Sequence, residues 1–487
     1  MSDLCPNFLA SNLSAAVLGH ADFYAQFGQY LRDGASVMTH YAQATEHNQL
    51  ILTAFLHSAN GLHLLRGAVD RDREVHSLSA DFSQVHIFER EIHEQTGLRY
   101  SDHPWLKPVR FPLGNINDYP FFHLDGKEIH EVAVGPIHAG VIEPGHFRFQ
   151  CLGETVHHLE IHLGYQYRGI EQLLLKLPLA KWSPLIETIA GDTTIGHTWA
   201  HCRAVECLAG VEIPWQIEVL RGIALELERI AMHLVGVGGI ATDIGFLQGG
   251  TTWGRLRTAI INTSMAICGS RFGRGWLRPG GVRAGLDAQQ IEHLCRTLDN
   301  FEHDMSLITE LFISSTTVRP RLKGIGTVTQ AQAHEIGLVG MAARMCGIEQ
   351  DLRCDLPGAA YKQVPLVISV EQGGDCWARA MLRLAEIQCS IQWLRNALEL
   401  IGPTPAHLAP IGPLRADALG LGLCEGWRGE IIHVIQTDAN GVAVHCKLQD
   451  PSLRNWFGLA LAVRGNEISD FPVCNKSFDL SYCGSDL

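Results

Sequence analysis

Several short stretches of this chain hold residues able to move protons or bind ligands at usable spacing. GPIHAGVIEPGHF (Gly135–Phe147) combines a Gly-Pro turn, His138, Glu143 and a Pro-Gly turn. Such turns make a tight hairpin-like loop that presents both polar side chains from its ends; an ordinary solvated β-turn fits the same spacing. RGIE (Arg168–Glu171) sets an arginine three residues before a carboxylate. On a helix this is either an i,i+3 ion pair or, with Glu171 partly buried, a proton carrier of raised pKa. RGIALELERIAMHL (Arg221–Leu234) puts Glu226, Arg229 and His233 on overlapping faces of a helix, Arg229 and His233 four residues apart and able to meet one acceptor. The plainer alternative is a surface charge ladder with one core-edge histidine. Asp243, in GGIATDIGF, is an acid among apolar residues and glycines, suited to a helix cap or to a functional buried charge.

Other motifs narrow the chemistry. RFGRGWLRPGGV (Arg271–Val282) suits a carboxylate or the acidic loop of a partner, and as an alternative is a helix–loop junction. Fourteen cysteines are present, but no pair has the Cys-x-x-Cys spacing of a chelating site, so reduced and mostly buried thiols are expected. Neither a dinucleotide-binding glycine fingerprint nor a phosphate-binding loop occurs. Lys and Arg total 38 against 51 Asp and Glu, a net charge of −13, which argues against a nucleic-acid-binding surface.

The elements that position these residues are legible in outline. Residues 1–106 read as a small α/β unit, with helical patterns at Phe23–Arg32 and His40–Leu50, strand-like runs at Ile51–Leu56 and Leu62–Ala68, and a helix over His86–Gly97 stopped by its glycine. A Pro-, Gly- and Asn-rich run marks a boundary, with a linker over residues 107–130. Strand-like alternation follows around Val132–Gly153, then long amphipathic helices from Gly169 to Leu400, Pro214–Val235 the clearest, and strands again at Glu430–Gln436 and Val442–Leu448. The expected fold is α+β: a small N-terminal α/β domain, then over residues 131–487 a mainly helical domain with small flanking sheets. Met1–Ala10 lacks the basic and apolar regions of a signal peptide. Ile230–Leu247 carries His233 and Asp243 and reads as a buried core helix, so membrane contact is expected only through partners.

Taken in order, the motifs resemble the large subunit of group 4 [NiFe] hydrogenases, the hydrogenase-4 and formate hydrogenlyase type, and its relative, the large core subunit of respiratory complex I. Gly135–Phe147, HLGYQYRGIEQ (His162–Gln172), RFGRGWLRPGGV, RLKGIGTV (Arg321–Val328), RCDLPGAAY (Arg353–Tyr361) and GWRGE (Gly426–Glu430) carry the resemblance over nearly the whole chain. FEREIHEQTGLRYSDHP (Phe88–Pro104) is similar to the 30 kDa-like C component of complex I.

The departures matter as much. The resemblance places the family's four nickel- and iron-binding thiolates at Ala190, Thr193, Ser481 and Gly484, with Cys483 offset from both of the last two. Alanine and glycine have no ligating side chain, and hydroxyls are poor substitutes for soft thiolates; no [NiFe] centre is expected. By the same alignment the quinone-holding histidine and tyrosine of complex I fall at Ile142 and Gly191, while the associated aspartate falls at Asp243. His233 and Arg229 occupy the place of residues facing a [4Fe–4S] cluster of a neighbouring small subunit. The resemblance therefore implies a core subunit on the cytoplasmic side of the cell membrane, bound through an iron–sulfur subunit and membrane-arm subunits. It would pass electrons toward quinone or another acceptor and couple them to ion translocation, with Asp243, His138, Glu143 and Glu171 as protonic groups. Two other readings are a non-redox coupling scaffold and, disfavoured by the missing thiolates, a working hydrogenase.

Overall fold

The computed structural model describes residues 6–11, 13, 17–45, 47–111, 114–140 and 142–487. Cys5 lies outside them. The N-terminal unit is a sheet backed by helices. Strands β2 (Ser36–Ala44), β3 (Gln49–Ser58) and β4 (Gly61–Asp70) pair antiparallel in sequence, and the two-residue strand Leu18–Gly19 lies parallel to β4. Helices α1 (His20–Arg32) and α2 (His86–Thr96) bury Phe23, Phe27, Phe88 and Ile92 against Val37, Leu50, Leu52 and Leu56. Gly97 ends α2 at a φ of 78°, the left-handed conformation a glycine adopts without strain.

The expected helix at His40–Leu50 is instead the second half of β2, a turn and the start of β3. A bulge between Val37 and Thr39 breaks the period-2 alternation, so Met38 and Tyr41 share one buried face at a spacing that imitates a helix. That face packs on a second sheet through Phe55, Leu419, Leu421, Ile432 and Val434.

The second sheet has the order β1–β8–β9–β10, all antiparallel: β1 (Asn7–Ser11), β8 (Ala418–Glu425), β9 (Glu430–Thr437) and β10 (Ala443–Gln449). The first strand of the expected N-terminal unit thus belongs to the sheet of the last. A third sheet is a meander of β5 (Ile129–Val134), β6 (His146–Leu152) and β7 (Thr155–His162), reached through an extended run that is anchored by buried Arg110 and Tyr119.

Between the sheets lie the helices that carry most of the core. They are α3 (Ile170–Leu175), α4 (Thr194–Ala209), α5 (Trp215–Asp243), α6 (Leu247–Cys268), α7 (Ala288–Ser314), α8 (Cys376–Ile401), α9 (Ser452–Ala462), α10 (Phe471–Phe478) and α11 (Tyr482–Ser485). At ~1.5 Å per residue, the 29-residue α5 is roughly 44 Å long. It is enclosed on every side rather than amphipathic, with Glu226, Arg229 and His233 as deeply buried as its leucines. No helix among the described residues is long and apolar enough to cross a membrane.

Candidate functional site

Two groups of polar side chains converge inside the helical domain. The first is assembled from the start of α4, the turn after β8, and the C-terminal segment. Arg428 forks onto Asp192, with Nη1 donating to Oδ1 at 2.8 Å and Nη2 to Oδ2 at 2.6 Å. Its Nη1 also reaches Thr193 Oγ1 at 3.2 Å, its Nε donates to the Asp479 carbonyl, and its guanidinium lies 3.8 Å over the Trp427 ring. Opposite charge holds the Arg428 guanidinium well above its ordinary value despite burial. The Asp192 side chain is 39% exposed and Arg428 only 4%, so this pair sits at the edge of solvent.

Behind it, His197 joins Asp450 through Nε2 at 3.0 Å and His433 through Nδ1 at 3.1 Å. Glu228, from α5, accepts the N–H groups of Ile195 and Gly196 at 2.7 and 3.1 Å and so closes the N-terminus of α4. Burial, aided by Asp192, outweighs those two donors and pushes the Glu228 carboxyl up to about 8. Ser481 caps α11 by accepting the Gly484 N–H at 2.9 Å.

The second group is a sealed hub between α5 and α8. Glu386 accepts His233 Nε2 at 2.7 Å and Arg344 Nε at 3.0 Å, with Arg229 Nη1 at 3.7 Å. Arg383 donates to His233 Nδ1 at 3.2 Å, which makes Nε2 the protonated nitrogen. To get there Arg383 crosses α5 at Gly236, where a Cβ would stand 2.7 Å from its Cζ. Burial lowers His233 to about 4, and it stays a neutral imidazole. One turn earlier, Glu226 takes Tyr361 OH and Ser390 Oγ at 2.6 Å, and Arg229 Nε and Arg353 Nη1 at 3.1 Å. Arg229 spends its remaining donors on the carbonyls of Glu425 and Gly426. The surface-ladder alternative is thereby excluded. So is the expectation that His233 and Arg229 face a neighbour, because both side chains are fully enclosed and neither offers an atom to a surface.

The other expected site residues fall elsewhere. Asp243 is the last residue of α5, ten residues and roughly 15 Å from His233 on one unbroken helix, with no intervening turn. It is exposed rather than buried. Partial desolvation raises its carboxyl, against the pull of Lys476. Lys476 in turn holds Asp479 at 2.8 Å, so Asp243 borders the first group through one shared cation. His138 turns back into its own loop, with Nε2 2.8 Å from the Gly145 carbonyl. Glu143 leans the other way, 3.3 Å from Gln166 Nε2 and 3.5 Å from Cys483 N, at the rim of the first group.

Glu171 makes no pair with Arg168, which donates instead to the carbonyls of Thr188 and Ile189. Its carboxylate accepts Leu448 N at 2.8 Å and lies 3.2 Å from Lys447, whose ammonium bridges it to Glu91 of α2. Glu171 is therefore part of the clasp between the two ends of the chain. In RFGRGWLRPGGV the expected carboxylate is intramolecular: Glu187 takes Arg278 Nη1 at 2.6 Å and Gly275 N at 2.7 Å.

Comparison with known proteins places this geometry. The carbon monoxide-induced hydrogenase of Rhodospirillum rubrum is 30% identical over 349 residues, covering 72% of this chain and 96% of its own. The chain belongs to the hydrogenase large-subunit family shared with complex I. Hydrogenase-4 component G of Escherichia coli K12 is 28% identical over 77% of this chain and 65% of its own length. An NADH-quinone oxidoreductase protein of Clostridium beijerinckii, the large core component of that enzyme, is 29% identical over 68% and 90%. The respiratory-chain NADH dehydrogenase 49 Kd subunit family matches residues 243–417, and the 30 Kd subunit family matches residues 19–121. The hydrogenase large-subunit family is one of oxidoreductase subunits, and the fold found here, a 30 Kd-like unit joined to a helical 49 Kd-like domain, follows it.

Family membership raises the question of a [NiFe] centre, and the residues present do not fit one. Of the four ligand positions, Ala190 offers no donor, Thr193 is engaged by Arg428, and the Ser481 hydroxyl caps α11. Gly484 is closed to any side chain: a Cβ there would lie 2.7 Å from Asp450 Cγ and 2.8 Å from Ser481 Oγ. The nearby thiol, Cys483, is pushed up to about 12 by burial and by Glu143, far from the thiolate a metal needs. Among the described residues no three His, Cys, Asp or Glu side chains converge as a metal site.

Asp192, His197, Glu228, Glu386, Arg428 and Asp450 are the residues that reasoning from sequence missed. Asp192 and His197 stand inside ETIAGDTTIGHT, and Arg428 inside GWRGE, motifs whose absent cysteines and overall likeness drew attention away from their charged residues.

Proposed function

We propose that this chain is the core large subunit of a membrane-associated, complex-I-like oxidoreductase of the hydrogenase-4 type that works without a [NiFe] centre. It takes electrons from a partner iron–sulfur subunit and couples them to quinone or another acceptor and to ion translocation. It sits peripherally on the cytoplasmic side of the membrane, held by that subunit and by membrane-arm subunits. The observation that carries this reading is the Asp192–Arg428 pair at the place where the family's metals are bound, with Gly484 closed against a side chain by Asp450.

What this constellation supplies is protonic. Glu228, near neutrality in its pKa, and the Asp450–His197–His433 chain offer a path for protons beside a solvent-edge cation. Asp243 and Glu143 extend the same region toward the surface. Elemental analysis and electron paramagnetic resonance of the purified complex test the reading. The expected result is cluster signals from the partner and no stoichiometric nickel; nickel near one per chain would overturn it. A second reading, a non-redox coupling scaffold, is favoured by the sealing of His233 and Arg229, which leaves the hub no direct contact with a partner's cluster. Purification without any iron–sulfur partner would select it.

A further inference from the structure

We propose that Cys376 and Cys474 form a two-electron redox couple, in which Cys376 attacks a hydroperoxide and Cys474 closes a disulfide tying α8 to α10. This rests on a separate part of the molecule and is independent of the function proposed above. The two sulfurs lie 3.9 Å apart, and both residues are fully enclosed. Cys376 is the first residue of α8, where the helix dipole favours a negative sulfur. Arg379 Nη2, one turn on, donates to Cys376 Sγ at 3.3 Å, and Ser477 Oγ is 3.5 Å from it. A sulfur that collects donors in this way is the thiolate of the pair, and Cys474 is left as the S–H partner. The hydrogen bond shared with Cys474, then Arg379, holds Cys376 below the ordinary thiol range against burial, while Cys474 is driven well above it.

The chemistry closes without further groups. The Cys376 thiolate attacks the outer oxygen of the hydroperoxide; an S–O bond forms, the O–O bond breaks, and the departing alkoxide or hydroxide takes the proton that Cys376 gave up on ionising. Cys474 then attacks the sulfenic sulfur, an S–S bond forms, and its thiol proton leaves with the hydroxyl as water. Two electrons pass from the sulfur pair to the O–O bond. The sulfurs need to close from 3.9 Å to ~2.05 Å, a motion of side-chain torsions.

The consequence reaches the sealed hub. Arg379 loses its thiolate acceptor; its Nε is bonded to Ser477 Oγ, and the Ser477 carbonyl takes Arg383, the same arginine that fixes the tautomer of His233. The test is peptide mapping of the purified protein after hydrogen peroxide treatment and alkylation. Expected are the loss of two of the fourteen alkylatable thiols and a linked peptide pair joining Cys376 to Cys474. In Cys474→Ser the expected product is a Cys376 sulfenic acid trapped by dimedone. Should that variant fail to fold, the wild-type map alone decides. Both thiols intact under peroxide that oxidises other cysteines, a disulfide from Cys376 to any other residue, or a Cys376 sulfinic acid beside a free Cys474 would each overturn the proposal.

Discussion

The Asp192–Arg428 centre and the Glu386 hub are made of the same materials, carboxylates, guanidinium groups and a histidine, yet only the first meets solvent. Around Glu386 every charge is paired and enclosed, and a lone group there would carry the full cost of desolvation. Around Arg428 the partner acid keeps one flank in water, and the adjoining carboxyl of Glu228 titrates near neutrality. In a family whose metals lie at the first place, the contrast separates two jobs. The hub fixes how α5, α8 and the turn after β8 sit together; the centre is where protonation can change while the fold stands.

The largest effect expected from breaking this contrast is at the hub. Glu386→Ala strands Arg344, Arg229 and His233 without their shared acceptor and should cost about 3–5 kcal/mol, read as a fall in the unfolding midpoint and in soluble yield. Arg428→Gln should cost less, roughly 1.5–3 kcal/mol, because Asp192 regains water when its partner goes; a loss equal to that of Glu386→Ala would erase the distinction.

A pH series sharpens it further. Glu228 holds its proton up to about 8 in the folded chain but releases it near the ordinary carboxyl value when unfolded. Between those values the folded state binds the extra proton, so stability falls as pH rises through that window. Glu228→Gln should flatten that part of the profile, measured as unfolding midpoints across the series. A profile identical to the parent's would show that the carboxyl ionises normally. Smallest of all is Asp243→Asn. At an exposed helix end it should leave stability within about 0.5 kcal/mol, while turnover of the assembled complex falls if the acid is protonic. Full turnover would reduce Asp243 to a helix end and strengthen the scaffold reading.

How much of this was legible beforehand depends on the length scale of the signal. Long runs of one period announced α5 and the C-terminal strands, and the ordered motifs announced the fold. The strand at His40 was misread because a single bulge changed the spacing of its buried face. At the site, Ala190 and Gly484 were legible as losses because a missing thiol is visible in one letter. What replaced the metals was not, since Arg428 lies 236 residues from Asp192 and no local spacing reports such a pair. The sealed state of His233 was hidden for a similar reason: Glu386 and Arg383, which enclose it, come from another helix, and their own sequence context reads as an ordinary charged stretch.

The pairing of β1 with β8 sets a timetable for the newborn chain. Asn7 finds its partner in Gly422, so the first strand to leave the ribosome has no place to go until more than four hundred further residues have followed. At ~5–20 residues per second, that wait is on the order of 20–80 s. Throughout it the sheet of β2, β3 and β4 also lacks the layer that covers Met38, Tyr41 and Phe55. Synthesis of this subunit therefore begins with its most adhesive surfaces and finishes with the strands that hide them. A slow codon stretch or a pause before β8 lengthens the exposure, and faster elongation through the helical middle shortens it.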